Sequence, residues 1–280
     1  MPARQLERRV VAKVWGRRDV PPEFGPLPEG HEPVGEVWFP DEAGDEAELL
    51  VKYLFTSEKL SIQVHPGDAA ARAAGCRRGK DEAWLVLRAE PDAVIGLGLI
   101  EPVTREALRS AALDGSIEQL VDWRPVAAGD VLYSPAGTVH ALGPGLTVVE
   151  IQQNLDLTYR LYDYGRPREL HLDEGIAVAD PVPYTRRNVV APIGPGRERL
   201  ASGAFTVERW RGHAGRVGGD VDAPVWLIPI DGGGSVDSEP LEPGTVWVAR
   251  GATDVRAPGD GDLLIAYGGD AVRGSPEPDA

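Results

Sequence analysis

The sequence predicts an all-β fold of two barrels, and three observations carry that prediction. Many short apolar or alternating segments, each bounded by Gly, Pro or Asp, run along the chain, which is how strands joined by turns read. The 34 glycines and 25 prolines suit a long succession of tight turns. The third observation is a faint internal repeat. EAWLVLRAEPDAVIGLGL and RPVAAGDVLYSPAGTVHAL in the first half have counterparts in APVWLIPIDGGGSVD and EPLEPGTVWVARGATDV in the second. In each, a strand and turn precede a Gly that opens a further strand.

Taken in order, GEVWF, LLVKYLF, LSIQVH, EAWLVLRA and AVIGLGL read as strands. A short helical insert near residues 104–122 then interrupts the series. Thr104 can cap TREALRSAALDG, Ala107, Leu108, Ala111 and Ala112 follow helical spacing, and Gly115 can end it. SIEQLVDW is expected to add a second short helix. Strands resume at DVLYSPA and LTVVEIQQ. PVPYTRRNVVAPIGPGRE, rich in Pro, Gly and Arg, reads as a connection, and FTVERW, VWLIPI, TVWVAR and DLLIAYG follow as strands of the second unit. The tail RGSPEPDA reads as unstructured. The expected division is residues 1–180 for a catalytic, metal-binding barrel and 181–280 for a degenerate barrel without a metal site. The two repeats differ where chemistry would sit, since Asp254 stands in the second half where the first has His140.

With 280 residues the chain can bury a sizeable core, and its 42% apolar and 26% charged content is ordinary for a globular protein. The net charge of -15 argues against nucleic acid or an anionic membrane as partner. An anionic substrate would then need a local basic pocket. The one cysteine, Cys76, excludes an internal disulfide and a thiol-rich metal site, and it fits a reducing, cytoplasmic setting. The basic N-terminus has no signal-peptide core, because Lys13 interrupts its short apolar run. No stretch approaches the ~18 apolar residues of a membrane span. A monomer is expected.

The stretch IQVHPGD carries the first chemical signal. In a strand Gln63 and His65 lie on one face, with Ile62 and Val64 on the other. That is a metal-ligand spacing, although a hydrogen-bonded core histidine has the same pattern. The later GDVLYSPAGTVH, Gly129 to His140, resembles the second motif of the cupins. A Gly there opens a strand, Pro and Gly make a turn, and a His follows. The Asn found further on in that family is replaced by the region of Gly143 and Pro144. His65, Glu82 and His140 form an oxygen and nitrogen set suited to a borderline divalent ion.

Longer stretches narrow the likeness. LSIQVHPGD, GKDEAWLVL and TVHALGPGLTVVEIQQNLDLTYRLYDYGR, with GEVWF and LVKYLF, closely resemble the type I phosphomannose isomerases over residues 10 to 180. The resemblance implies two cupin (jelly-roll) barrels and a zinc-dependent enzyme interconverting mannose 6-phosphate and fructose 6-phosphate through an enediol. Carried over by motif, it implies one zinc ion held by His65, Glu82, His140 and Gln63. It implies catalytic roles for Arg160 and Glu150, and substrate-binding roles for Lys80 and Ser61. Lys80 and Arg160 are the cations expected near the sugar phosphate's phosphate or its developing negative charge. The base stays open between Glu150, a metal-bound water and another pocket residue. His31, His171 and His213 match no metal motif and read as surface or packing residues.

Three departures stand beside the likeness. Gly67 and Asp68 replace an acidic pair after HP, NLD replaces a serine-rich stretch, and the short chain implies that a helical insertion of larger relatives is absent, with a wider pocket. Two other readings suit the same residues: a different metal cupin such as an iron dioxygenase, and a non-catalytic sugar-phosphate-binding cupin.

Overall fold

The computed structural model describes residues 3–25, 30–186, 189–190, 195–218 and 223–269. Four antiparallel sheets of seven, five, six and four strands make up most of it. Two of them enclose the region that matters for chemistry. The seven-stranded sheet runs in the order Val189–Val190, Asp130–Ser134, Glu82–Ala89, Leu146–Gln153, Leu49–Phe55, Val34–Phe39, Arg9–Arg17. The five-stranded sheet runs Tyr159–Tyr162, Ile62–Val64, His140–Leu142, Val94–Leu99, Val121–Pro125.

Alternation along the strands explains how these layers stack. In LLVKYLF, Leu49, Val51, Tyr53 and Phe55 face a core shared with the six-stranded sheet of the second half, where they meet Phe205, Val207, Trp226 and Ile228. Leu54, on the opposite face, joins Trp84, Val86, Ile95, Leu97, Leu142 and Val148 between the seven- and five-stranded sheets. A strand buried on both faces loses the polar alternation of a surface strand and reads as a continuous apolar run. The second half repeats the arrangement, with Trp210, Leu227, Val255, Ile265 and Tyr267 filling the space between its six- and four-stranded sheets.

The helical insert forms as expected. Arg105–Asp114 is a helix whose Thr104 Oγ1 accepts the Ala107 N–H at 3.1 Å, and Gly115 closes it with φ 84°. Leu108, Ala111 and Ala112 pack under the outer face of the five-stranded sheet with Ile62, Val64 and Leu161. In SIEQLVDW the helix ends at Leu120, and Val121–Pro125 becomes an edge strand instead. Two further helices, Asp68–Ala73 and Leu172–Val178, lie where the sequence suggested none. The tail RGSPEPDA lies outside the described residues. No helix among those described is long and apolar enough to cross a membrane.

Candidate metal centre and cavity

Three strands and one loop converge on the inner face of the first barrel. His140 opens its strand opposite Gln63, and Arg160 pairs with Gln63 on the other side. Opposed residues in an antiparallel ladder share a face. The sheet therefore presents His140, Gln63 and Arg160 as one transverse row. Ile62 and Val64 point the other way and are wholly buried, as the alternation predicted. Across the barrel, Glu82 begins the strand Glu82–Ala89. A pinned loop delivers it: Gly79 N–H donates to Asp68 Oδ1 at 2.8 Å and Lys80 N–H to Pro66 O at 3.0 Å. A Cβ on Gly79 would lie 2.6 Å from the Asp68 nitrogen, so this position has no room for a side chain.

His65, Glu82 and His140 bring their ligand atoms within 4.8 Å of one another, all buried. His65 Nδ1 lies 3.0 Å from the Leu157 carbonyl and His140 Nδ1 2.9 Å from the Thr138 carbonyl. A carbonyl only accepts, so each Nδ1 carries the proton and each Nε2 of the neutral ring presents a lone pair. Those lone pairs face Glu82, at 3.2 Å from His65 to Oε1 and 3.3 Å from His140 to Oε2. His65 Nε2 and Glu82 Oε2 have no hydrogen-bond partner. Burial, and then the charge of Lys80, depress the His65 pKa to about 3. Burial opposes the Glu82 charge, but Lys80 and the imidazoles outweigh it and hold the carboxyl well below its usual range. His65 Nε2 and His140 Nε2 around the Glu82 carboxylate form a cluster rich in lone pairs, with His65 Nε2 and Glu82 Oε2 left without a donor, and a divalent cation fits it.

The remaining expected residues gather around this cluster. Gln63 Nε2 sits 3.2 Å from His140 Nε2, while Gln63 Oε1 accepts from Ser61 Oγ at 3.1 Å. Lys80 is not a solvated charge: it is 4% exposed, with Nζ 3.0 Å from Glu82 Oε1. Glu150 is buried, accepts the Trp84 indole N–H at 2.9 Å on Oε2, and holds Lys52 Nζ at 3.2 Å on Oε1. Arg160 lines the adjoining cavity of about 370 Å³. Asp163, a potential partner for Arg160, is instead taken by Arg166 and Arg168.

Two cavity residues, Trp38 and Lys52, escaped the sequence reading. Trp38, Lys52, Glu150 and Trp84 are successive neighbours on one rung across four strands. Lys52 Nζ also lies 4.6 Å from the Trp38 ring centroid and donates to Gln152 at 2.5 Å. Burial opposes its charge, but Glu150, Glu36 and Glu82 outweigh burial and raise the Lys52 pKa. The visible signal was one lysine inside the otherwise apolar run LLVKYLF. His171, expected as a surface or packing residue, lines this cavity with Arg160 and Arg168. His31 is exposed at the ring, its Nδ1 2.7 Å from the Glu32 carbonyl. His213 packs edge-on against Trp210 at 4.7 Å. Among the described residues the second half has no counterpart of the cluster: Asp254 faces outward beside Arg216, and the buried Glu208 is occupied by Arg197, Tyr267 and Trp210.

No protein-family model matches the chain. A mannose-6-phosphate isomerase of Streptococcus mutans is 35% identical over 196 residues, 65% of this chain and 60% of the relative. A mannose-6-phosphate isomerase of Bacillus subtilis is 40% identical over 154 residues, 52% of this chain and 49% of the relative. The matches thus span about half to three fifths of these relatives' length. Among solved structures, a mannose 6-phosphate isomerase from Bacillus subtilis superposes with a TM-score of 0.79 at 26% identity, covering 95% of this chain and 99% of the other. A putative mannosephosphate isomerase from Archaeoglobus fulgidus shares the fold, with a TM-score of 0.73 at 18% identity, covering 96% and 98%.

Proposed function

We propose that this chain, which is similar to mannose-6-phosphate isomerases over about half to three fifths of their length, interconverts mannose 6-phosphate and fructose 6-phosphate with one zinc ion bound in the first barrel. The observation that carries this reading is the buried His65, Glu82 and His140 acceptor cluster, opening onto a cavity lined by cations. His65 Nε2, His140 Nε2 and a Glu82 oxygen would hold the metal. Turned by half a rotation, the Gln63 amide offers its oxygen as a fourth ligand, and the Ser61 hydroxyl can donate or accept to match either orientation. Zinc supplies Lewis-acid polarisation of the substrate's oxygens.

The rest of the chemistry falls to the chain's own groups. Aldose-ketose isomerisation moves a proton between adjacent carbons through an enediol, so it needs a base beside those carbons and positive charge near their oxygens. Glu36, Glu150 and Asp156 are the cavity-wall carboxylates outside the ligand set, and Glu150 is tied to that set through Trp84, whose ring lies 5.4 Å from that of His140; Lys52 and Trp84 hold it in place. We assign it the proton transfer. Lys52, with its pKa raised, stays charged beside Glu150 and acts as a donor. Lys80, paired with Glu82, belongs at the reacting end, where it offsets developing negative charge. Lys13, Lys52, Lys80 and Arg168 each have a carboxylate within 3.2 Å. Arg160 lines the same cavity and has no such partner among the described residues, which suits it to the charge of an anionic substrate.

A coupled assay from mannose 6-phosphate to fructose 6-phosphate tests this reading. Turnover is expected in the zinc-loaded protein, lost on chelation, restored by zinc, and absent in His140→Ala together with its zinc. A zinc-loaded wild type that binds hexose phosphate without converting it would instead make the protein a binding cupin.

A further inference from the structure

The transverse row that starts at the metal cluster does not stop at the sheet edge. Tyr159–Tyr162 is the edge strand, and beyond it His171 N–H donates to the Arg160 carbonyl at 2.8 Å. The Arg160 N–H in turn points to His171 Nδ1 at 3.3 Å. His140, Gln63, Arg160 and His171 therefore follow one another across the wall. At ~4.8 Å per strand, the last lies about two spacings from Gln63. The imidazole packs toward the Tyr159 ring at 6.1 Å, and its side chain keeps 24% of its surface open.

The Arg160 contact decides the tautomer. A backbone N–H can only donate, so Nδ1 accepts and the neutral ring carries its proton on Nε2. The nearest carboxylate oxygen to that nitrogen, on Glu169, is 4.0 Å away and belongs to an exposed side chain, too far for a hydrogen bond. A cavity-lining ring is thus held with one N–H donor uncommitted. It stands at the end of the row away from the reacting carbons, beside Arg160.

Resting on the sugar-phosphate isomerase reading, we propose that His171 is a further substrate-binding residue whose Nε2–H donates to the phosphate group. Arg160 supplies charge and His171 a directional hydrogen bond. The backbone pairing between them fixes their relative position before substrate arrives.

Two variants separate this role from a structural one. His171→Asn keeps an oxygen near Nδ1 to accept the Arg160 N–H but has no donor at the Nε2 position, whereas His171→Gln places an amide N–H near it. The Asn variant is expected to raise KM for mannose 6-phosphate about tenfold, with the effect on KM and not on kcat, and to weaken competitive inhibition by inorganic phosphate by a similar factor. The Gln variant is expected to recover most of both. Wild-type values of KM and phosphate inhibition in the Asn variant would overturn the proposal and leave His171 a packing residue. Calorimetric titration with inorganic phosphate stands apart from turnover. If the wild type proves inactive, weaker phosphate binding in Asn than in wild type still supports the assignment. Equal binding, or none to the wild type, overturns it.

Discussion

Glu150 shows how environment sets the role of a single side chain. The sequence placed it on VVEIQQ with the right alternation but could not supply its partners, because Lys52 lies 98 residues away by number and joins it only through the register of the ladder. The same limit applies to Lys52, whose neighbours come from strands far apart in the chain, while His171 meets Arg160 only through the loop that returns it to the edge strand. His65, Glu82 and His140 were legible because their motifs fix the local geometry: a strand pair, a pinned loop and a turn. Glu150→Gln keeps the shape and removes the base. It is expected to lower kcat by roughly 10²–10⁴ while zinc stoichiometry stays near one per chain. It should also cost about 3 kcal/mol of stability, since the buried Lys52 loses its nearest counter-charge. Metal analysis beside the kinetics checks the assignment, and an unchanged kcat would move proton transfer to another group.

At the scale of elements, legibility followed how strongly the local signals agreed. LLVKYLF, EAWLVLRA and LTVVEIQQ form strands with the expected limits, since each carries a run of apolar, β-prone residues. The two helices that were missed lack such agreement. Asp68–Ala73 is short and its N-cap position, Gly67, gives no side-chain cap. Leu172–Val178 contains Gly175, a poor helix former kept because a Cβ there would lie 2.6 Å from Leu161 Cδ2. Packing against the sheet carries Leu172–Val178, whereas Asp68–Ala73 follows the helix propensity of its alanines. The capped helix Arg105–Asp114 was readable because Thr104, the apolar spacing and Gly115 all pointed the same way. Thr104→Ala is expected to cost about 1 kcal/mol, roughly a 2–4 °C fall in melting temperature. KM should not change, since this helix packs on the outer face of the sheet, away from the cavity. A thermal melt paired with kinetics checks both halves of that expectation.

For the molecule as a whole, sheets and core run across the expected division near residue 180: Val189–Val190 joins the seven-stranded sheet of the first half. Leu49, Val51, Tyr53, Phe55, Val149 and Ile151 from the first half share one apolar cluster with Leu200, Phe205, Val207, Trp226, Ile228 and Leu264 from the second. The N-terminal strand Arg4–Gln5 pairs with Trp247–Ala249, at the far end of the chain. Beside it Asp41 is buried between Arg4 at 3.1 Å and Arg250 at 2.8 Å. We therefore propose that the second barrel, whose described residues hold no such metal cluster, is required to fold the first. Removing it would expose the outer face of the seven-stranded sheet, a large apolar patch that water disfavours by roughly 25 cal/mol per Å². A fragment of residues 1–186 is expected to show strand content by far-ultraviolet circular dichroism but no cooperative melt. It should bind a hydrophobic dye strongly and show no zinc-dependent turnover. A fragment that melts sigmoidally and retains zinc would show instead that the first barrel closes its core alone, and that the shared cluster only docks two finished units.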